Sequence, residues 1–378
     1  MINTTNSTIQ DQLYNERLFA EIAAASAASD YDGGFPAHEF ALLRASGLLT
    51  ITLPGQALCY DKASTPGLLQ LLKNIGKSSL PVGRIYEGHI NALLLIASFG
   101  SQDQKSRWFE DAGANLFGVW NTQDAGGLEI EDTGNGRYRL TGSKTFCSGA
   151  GWIGRPLVTG KLISPEKSGW QMCIIPTETV KPILADSSFW KPLGMQASAS
   201  YRMDLTGIEI GEQDLLGLPD DYYRQPLFGS GALRFAAVQL GGAEAVLEET
   251  HRLLNDFKRT EDPFQQSRIA EISYLIETGN LWLNQAGELY DRWLHMPGSA
   301  EKLIAYANMT RTIIEDACLR SMQLAERSVG SRGLMRPGIL ERMHRDLTTY
   351  LRQPAPDAIQ AYVGKYVLDQ QNTTSLWT

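Results

Sequence analysis

The sequence has 378 residues, and its 34 Lys+Arg against 42 Asp+Glu give a formal charge of −8. An acidic balance with no long Lys/Arg run argues against a nucleic-acid partner, because affinity for the phosphate backbone rests on clustered positive charge. Hydrophobic residues make up 43% of the chain, ample for more than one core, and at roughly 100–200 residues per domain the length fits two or three domains.

The first residues, Met1-Ile-Asn-Thr-Thr-Asn-Ser7, carry neither the basic nor the apolar stretch of a signal peptide. We therefore read the chain as cytoplasmic and its Asn-x-Thr triplets as chance. Up to about residue 112 the pattern is helical, with Ile9, Leu13, Leu18, Ile22 and Ala25 marking one face. Pro36 is placed to start a helix that Gly47 stops, and Thr65-Pro66 reads as an N-cap followed by a first-turn proline. Tyr86 to Phe99 has the apolar density of a buried helix. Its apolar run Ala92-Leu-Leu-Leu-Ile-Ala97 is far shorter than the roughly 20 residues that span a bilayer, so no membrane partner is expected. Ser101-Gln-Asp-Gln104 has the form of a capping box.

From about 113 to 215 short runs of β-formers alternate with Gly, Asn, Asp and Pro. Candidate strands are Leu116–Trp120, Tyr138–Thr141, Leu157–Thr159, Gln171–Ile175 and Tyr201–Ile210. Turn signals such as Thr133-Gly-Asn-Gly136 favour an antiparallel barrel or sandwich. After about residue 226 helical periodicity returns, first through Leu233, Ala236, Ala237, Leu240, Ala243, Leu247 and Leu254. Long helices follow around 264–293 and 299–329, and a short one carries Ile359, Tyr362, Val363, Tyr366 and Val367. Four antiparallel helices with short connections make a bundle.

The reading is thus an α+β multidomain chain: a helical domain over 1–112, a central antiparallel β-barrel over 113–215 and a C-terminal four-helix bundle over 216–378. Gly229 and Gly231 do not make a dinucleotide motif, because the third glycine and a preceding strand are missing. Cys59, Cys147, Cys173 and Cys318 form no CxxC, and the five histidines show no ligand spacing. No metal is expected, and the cysteines read as free buried thiols.

Three strings carry a resemblance over essentially the whole chain: Asn121-Thr-Gln-Asp-Ala-Gly-Gly127, Tyr138-Arg-Leu-Thr-Gly-Ser-Lys-Thr-Phe-Cys-Ser-Gly-Ala-Gly151, and Leu193-Gly-Met-Gln-Ala-Ser-Ala-Ser-Tyr-Arg-Met-Asp-Leu-Thr-Gly207. Together with the order of domains, they resemble the acyl-CoA dehydrogenase family of flavoproteins. The resemblance implies FAD at the domain junction. Phe146 would pack beside the isoalloxazine, Ser148 would bond near N5, and Thr122 would meet the pyrimidine edge. Gly126 and Gly127 would bring backbone N–H groups to the pyrophosphate. A flavin needs such a flat apolar wall and a few fixed donors, because the cofactor itself carries the redox chemistry.

The chain also departs from the family. Gln123-Asp124 replaces Glu-Pro, and Leu128 stands where a serine often donates to phosphate. The segments that meet cofactor in the family's bundle are represented by Lys258-Arg259-Thr-Glu-Asp-Pro-Phe264 and Arg327-Ser-Val-Gly-Ser331. Dehydrogenation of a thioester requires a carboxylate to take the α-proton. At the two positions where the family places it, this chain has Pro354 and Leu233. The arginine after the second is kept as Arg234, which would shape the pocket. Asp357 is a weak substitute that also suits a helix start; Asp124 and His89 are others, and a core histidine is the plainer reading of His89.

The resemblance thus implies a flavin-dependent oxidoreductase acting on an acyl-CoA thioester or related small substrate. Two alternatives stand beside it: a flavin monooxygenase or nitroalkane-oxidase-like enzyme of the same fold, and a non-catalytic subunit paired with a catalytic homologue. A homodimer or homotetramer, or a hetero-oligomer with such a homologue, is implied.

Overall fold

The computed structural model describes residues 15–377. Helix α1 (Glu16–Ala25) buries Leu18 and Ile22; Ile9 and Leu13 of the predicted face lie outside the described residues. Helix α2 (Ala37–Ala45) follows Pro36, and Gly47 turns left-handed just after it, with φ 75°. In α3 (Thr65–Ser78) the cap position belongs to Ser64, one residue before the predicted Thr65. Thr65 is instead drawn to the Asp291 carboxylate through its N–H and hydroxyl. Helix α4 (Leu80–Phe99) is the buried one, with Tyr86, Ile90, Leu93 and Ile96 fully enclosed. The predicted capping box opens α5 (Gln102–Asp111): Gln104 N–H donates to Ser101 Oγ at 3.2 Å, and Ser101 N–H to Gln104 Oε1 at 3.0 Å.

The strands are β1 (Phe117–Trp120), β2 (Leu128–Gly134), β3 (Arg137–Cys147), β4 (Arg155–Ile163) and β5 (Ser168–Ile174). They continue with β6 (Leu184–Asp186), β7 (Tyr201–Asp204), β8 (Glu209–Gly211) and β9 (Leu215–Leu216). Their ladder runs β6-β7-β3-β2-β4-β5-β9, with β1 on β4 and β8 on β3.

Two features correct the expected antiparallel barrel. Among the described residues the end strands β6 and β9 do not pair, so the ladder stays open. In addition, β4 pairs in parallel with both β1 and β2. The reason is topological: β2 and β3 form a hairpin, and β4 then occupies the edge of β2 opposite β3. The single strand expected over Tyr201–Ile210 is broken into β7 and β8 by a turn at left-handed Gly207, where Asp204 Oδ1 accepts from Thr206 N–H. Both halves still line the same strand, β3.

From residue 227 the chain is helical: α6 (Leu227–Ser230), α7 (Ala232–Asp256), α8 (Pro263–Trp293), α9 (Ala300–Val329), α10 (Ile339–Tyr350) and α11 (Pro356–Leu368). Central α7 packs on α3, α8, α9 and α10. The short helix predicted as the fourth member of the bundle is α11, which lies on α9 and buries none of its residues. The fourth partner of α7 is α10. Its charged residues Glu341, Arg342, Arg345 and Asp346 are buried, with Arg345 bridging Glu341 and Asp30.

Within that cluster Asp346 accepts the backbone N–H of Met195, a residue held at φ 60°. Burial pushes the Asp346 pKa up to about 7. Because the folded value lies above the unfolded one, its favourable contribution is complete below about pH 4 and is lost as pH rises through 7. The unfolding free energy of wild type relative to Asp346→Asn should therefore fall by roughly 2–4 kcal/mol between pH 4 and 8. Denaturant titrations across that range measure it, and a flat difference would contradict the assignment.

Candidate active site

After β1 the chain leaves the edge of β4 over residues 121–127 and rejoins the same edge as β2. The buried ammonium of Lys144 on β3 pins this detour. Its Nζ donates to the Asn121 carbonyl at 3.0 Å and to Gln123 Oε1 at 2.7 Å, and it lies 4.9 Å from the Trp170 ring centroid. Burial pushes the Lys144 pKa down to about 8. Asn121 Oδ1 takes the Thr159 hydroxyl at 2.6 Å and the Trp170 indole N–H at 3.1 Å. The Thr122 carbonyl accepts from Thr145 N–H at 2.9 Å, which sets Thr122 next to Phe146. Gly127 is left-handed, and its N–H donates to the Asp124 carbonyl at 2.9 Å.

Phe146 has φ 54°, a conformation that a bulky residue adopts only under strain. The residue is 53% exposed, and its ring meets Phe189 and Trp190 edge-on, at 5.1 and 6.1 Å between centroids. Edge contacts of this kind leave a ring face free for a planar partner. Two residues on, Ser148 is half-buried. Its hydroxyl joins that of Ser200 at 2.9 Å, and Ser200 joins Ser198 at 2.8 Å, while the Ser148 carbonyl takes the Trp120 indole N–H at 3.1 Å. An open aromatic face beside a chain of hydroxyls fits an isoalloxazine.

A row of rings leads away from the detour. Trp170, bonded to Asn121, lies 6.4 Å from Tyr223, and Tyr223 and Tyr222 both meet Phe228 at an angle. Tyr222 in turn lies within electrostatic reach of Arg84, Glu87 and Arg234. Arg84, Glu87 and Asn91 are spaced by three and four on α4 and so share one of its faces. Glu87 accepts from Arg84 and from Asn91, and Asn91 accepts from Arg234 on the first turn of α7. Tyr60, Tyr290 and Tyr350 surround this group. Burial raises the Tyr60, Tyr222 and Tyr350 hydroxyls, which keeps them protonated.

The structure brings Thr122, Phe146 and Ser148 together, with Gly126 and Gly127 in the adjoining turn. Leu233 is buried on α7. Pro354 lies in the exposed turn before α11, and its carbonyl accepts from Arg311 at 3.1 Å. Asp357 is exposed in the first turn of α11, and Asp124 pairs with Arg202 at 3.3 Å. His89 is a core residue. Phe117 N–H donates to its Nδ1, so Nε2 carries the proton and donates to the Leu49 carbonyl, and burial lowers its pKa to about 4. Sequence reasoning missed Arg84, Glu87 and Asn91, although two charged residues three apart, Arg84 and Glu87, on an otherwise apolar helix are a usable signal.

A mixed sheet between helical layers, offering a flat aromatic face at its junction, defines a flavin-binding oxidoreductase. The chain matches the acyl-CoA dehydrogenase N-terminal domain over residues 12–114 and the acyl-CoA dehydrogenase C-terminal domain over residues 222–351. It belongs to the acyl-CoA dehydrogenase family.

Among its relatives, a dibenzothiophene monooxygenase of Mycolicibacterium goodii is 26% identical, with 90% of this chain and 89% of that one covered. An acyl-CoA dehydrogenase of Bacillus subtilis (strain 168) is 24% identical, with 92% and 94% covered. The FMN-bound structure of TdsC from Paenibacillus sp. A11-2, a dibenzothiophene monooxygenase, superposes with a TM-score of 0.86 at 20% identity, covering 98% of this chain and all of that one. Among the described residues no helix is long and apolar enough to cross a membrane, and all four cysteines are buried and free.

Proposed function

We propose that this chain is an FMN-dependent monooxygenase acting on a small molecule. The observation that carries the reading is the state of the carboxylates. By the resemblance, Leu233 and Pro354 stand at the family's two base positions, and Glu87, the carboxylate buried beside Arg234, is engaged by Arg84 and Asn91. Abstraction of an α-proton from a thioester therefore has no placed agent, whereas oxygenation needs none. The similarity to dibenzothiophene monooxygenases supports the same reading. Reduced FMN, when bound, supplies two electrons to O2, so that one oxygen atom enters the substrate and the other leaves as water.

The chain's own residues would hold and shield that chemistry. Phe146 offers the face for the ring, Ser148 a hydroxyl at its edge and Thr122 a polar contact beside it. FMN is preferred over the FAD first expected because the turn offers a pyrophosphate little. The Gly127 N–H is engaged by Asp124, and Leu128 is buried where a serine would donate. The FMN bound by TdsC agrees. A second copy of the chain is expected in solution, supported by Phe264, 73% exposed at the start of α8.

The test supplies the purified chain with reduced FMN from a separate reductase, together with 18O2 and candidate substrates. Incorporation of one labelled oxygen into product is the expected result. Bleaching of the oxidised flavin by an acyl-CoA without oxygen would overturn the reading.

A further inference from the structure

Resting on the monooxygenase reading, we infer that the Arg84–Arg234 group binds the oxyanion of the substrate: a small organic carboxylate, sulfinate or sulfonate whose apolar body lies along the Tyr222–Tyr223–Phe228 rings. The charge balance points there. The one carboxylate of the group, Glu87, is bonded by Arg84 and by Asn91, and Arg234 reaches it only through Asn91. Arg234 is 8% exposed, donates to the neutral Asn91 and Tyr290, and among the described residues makes no ion pair. It stands in the first turn of α7, where the helix dipole adds further positive potential.

A buried cation without a counter-charge is costly, and a bound anion is the economical completion of such a site. Two more observations aim the group at a ligand. Arg84 is enclosed by α4, Tyr222 and Tyr350, yet 32% of its side chain is accessible, so it faces open space. The Tyr350 hydroxyl is buried beside Arg84 and has no other hydrogen-bond partner in the structure. Arginine forks and a phenol are matched donors for a planar or tetrahedral oxyanion. The nearby rings supply contact area for a short hydrocarbon or aromatic body.

The experiment titrates the full chain, with and without FMN, with butyrate, butanesulfinate and the neutral butyramide, following binding calorimetrically. The anions are expected to bind at least tenfold more tightly than the amide. Arg234→Gln and Arg84→Gln should each remove that preference, weakening the anions at least tenfold more than the amide, and Arg234→Lys should retain part of it. FMN affinity and the thermal midpoint of each variant report whether it has folded. Equal binding of anion and amide, no binding of either anion, or a preference that survives in both glutamine variants would overturn the inference. The labelled-oxygen assay is separate. Oxygenation of a neutral substrate with no anion preference would remove this inference alone, and anion binding without oxygenation would remove the monooxygenase reading alone.

Discussion

Lys144→Met is expected to weaken FMN binding by at least about tenfold, measured by quenching of flavin fluorescence. Methionine keeps most of the volume but donates nothing. The Asn121 carbonyl then loses the donor that holds the start of the 121–127 detour, and Gln123 keeps only the N–H of Leu128. Unsatisfied buried acceptors cost about 1–3 kcal/mol each. The cheaper outcome is for the detour to swing out toward water, carrying Thr122 away from Phe146. The same lysine has an alkaline signature. Its folded pKa, about 8, lies below the unfolded one, so the stability held by the neutral amine is present above about pH 10.4 and is lost as pH falls through 8. Wild type should gain on Lys144→Met between pH 8 and 10.5, and an unchanged difference there would show that the amine is not desolvated.

Gly241→Ala should be the more damaging change to the fold, costing about 3 kcal/mol or more in denaturant titration. A Cβ at Gly241 on α7 would sit 2.0 Å from the Lys73 carbonyl oxygen and 2.6 Å from the Lys77 nitrogen of α3. Across the same contact, a Cβ at Gly76 would meet the Val238 carbonyl oxygen at 2.3 Å. The backbones of α3 and α7 thus touch through glycine on both sides, and neither can yield as a flexible side chain would. Salt bridges from Lys73 to Glu244 and from Lys77 to Glu248 flank the contact and oppose separation. Because α7 also carries Arg234, a shifted helix should weaken anion binding in whatever fraction folds. An alanine variant with wild-type stability would mean that the helices tolerate separation.

Much of the architecture was legible where local chemistry decides it. The box at Ser101–Gln104 and the apolar face of α4 are set by residues adjacent in sequence. The Phe146 and Ser148 string was marked by its resemblance to the family, and the part of the two residues in holding a flavin belongs to the proposed function. Strand β2 was missed because only Leu128 and Ile130 turn inward while Glu129 and Glu131 alternate outward, leaving too few apolar residues to notice. Helix α11 stood in the place of α10 because apolar spacing, the signal followed there, marks Ile359, Tyr362, Val363, Tyr366 and Val367 and not the charged α10. Arg345 and Asp346 go inside once Asp30, Glu341 and the Met195 N–H are there to meet them, whereas the apolar residues of α11 stay near the surface. Those partners come from distant parts of the chain, so periodicity could not reveal them. Tyr222 and Tyr350 join Arg84 for the same reason.

The paired use of one β4 edge by β1 and β2 separates two things that proteins usually alter together. Hydrogen bonds to β4 at Phe117–Trp120 and again at Glu129–Glu131 lock the register on either side of residues 121–127. The detour between them can change length or composition while both anchors stay where they are. On the proposed reading, the grip on a cofactor is therefore a replaceable cassette in a fixed frame. An exchange of this stretch between relatives could alter which flavin is held without asking the sheet to refold.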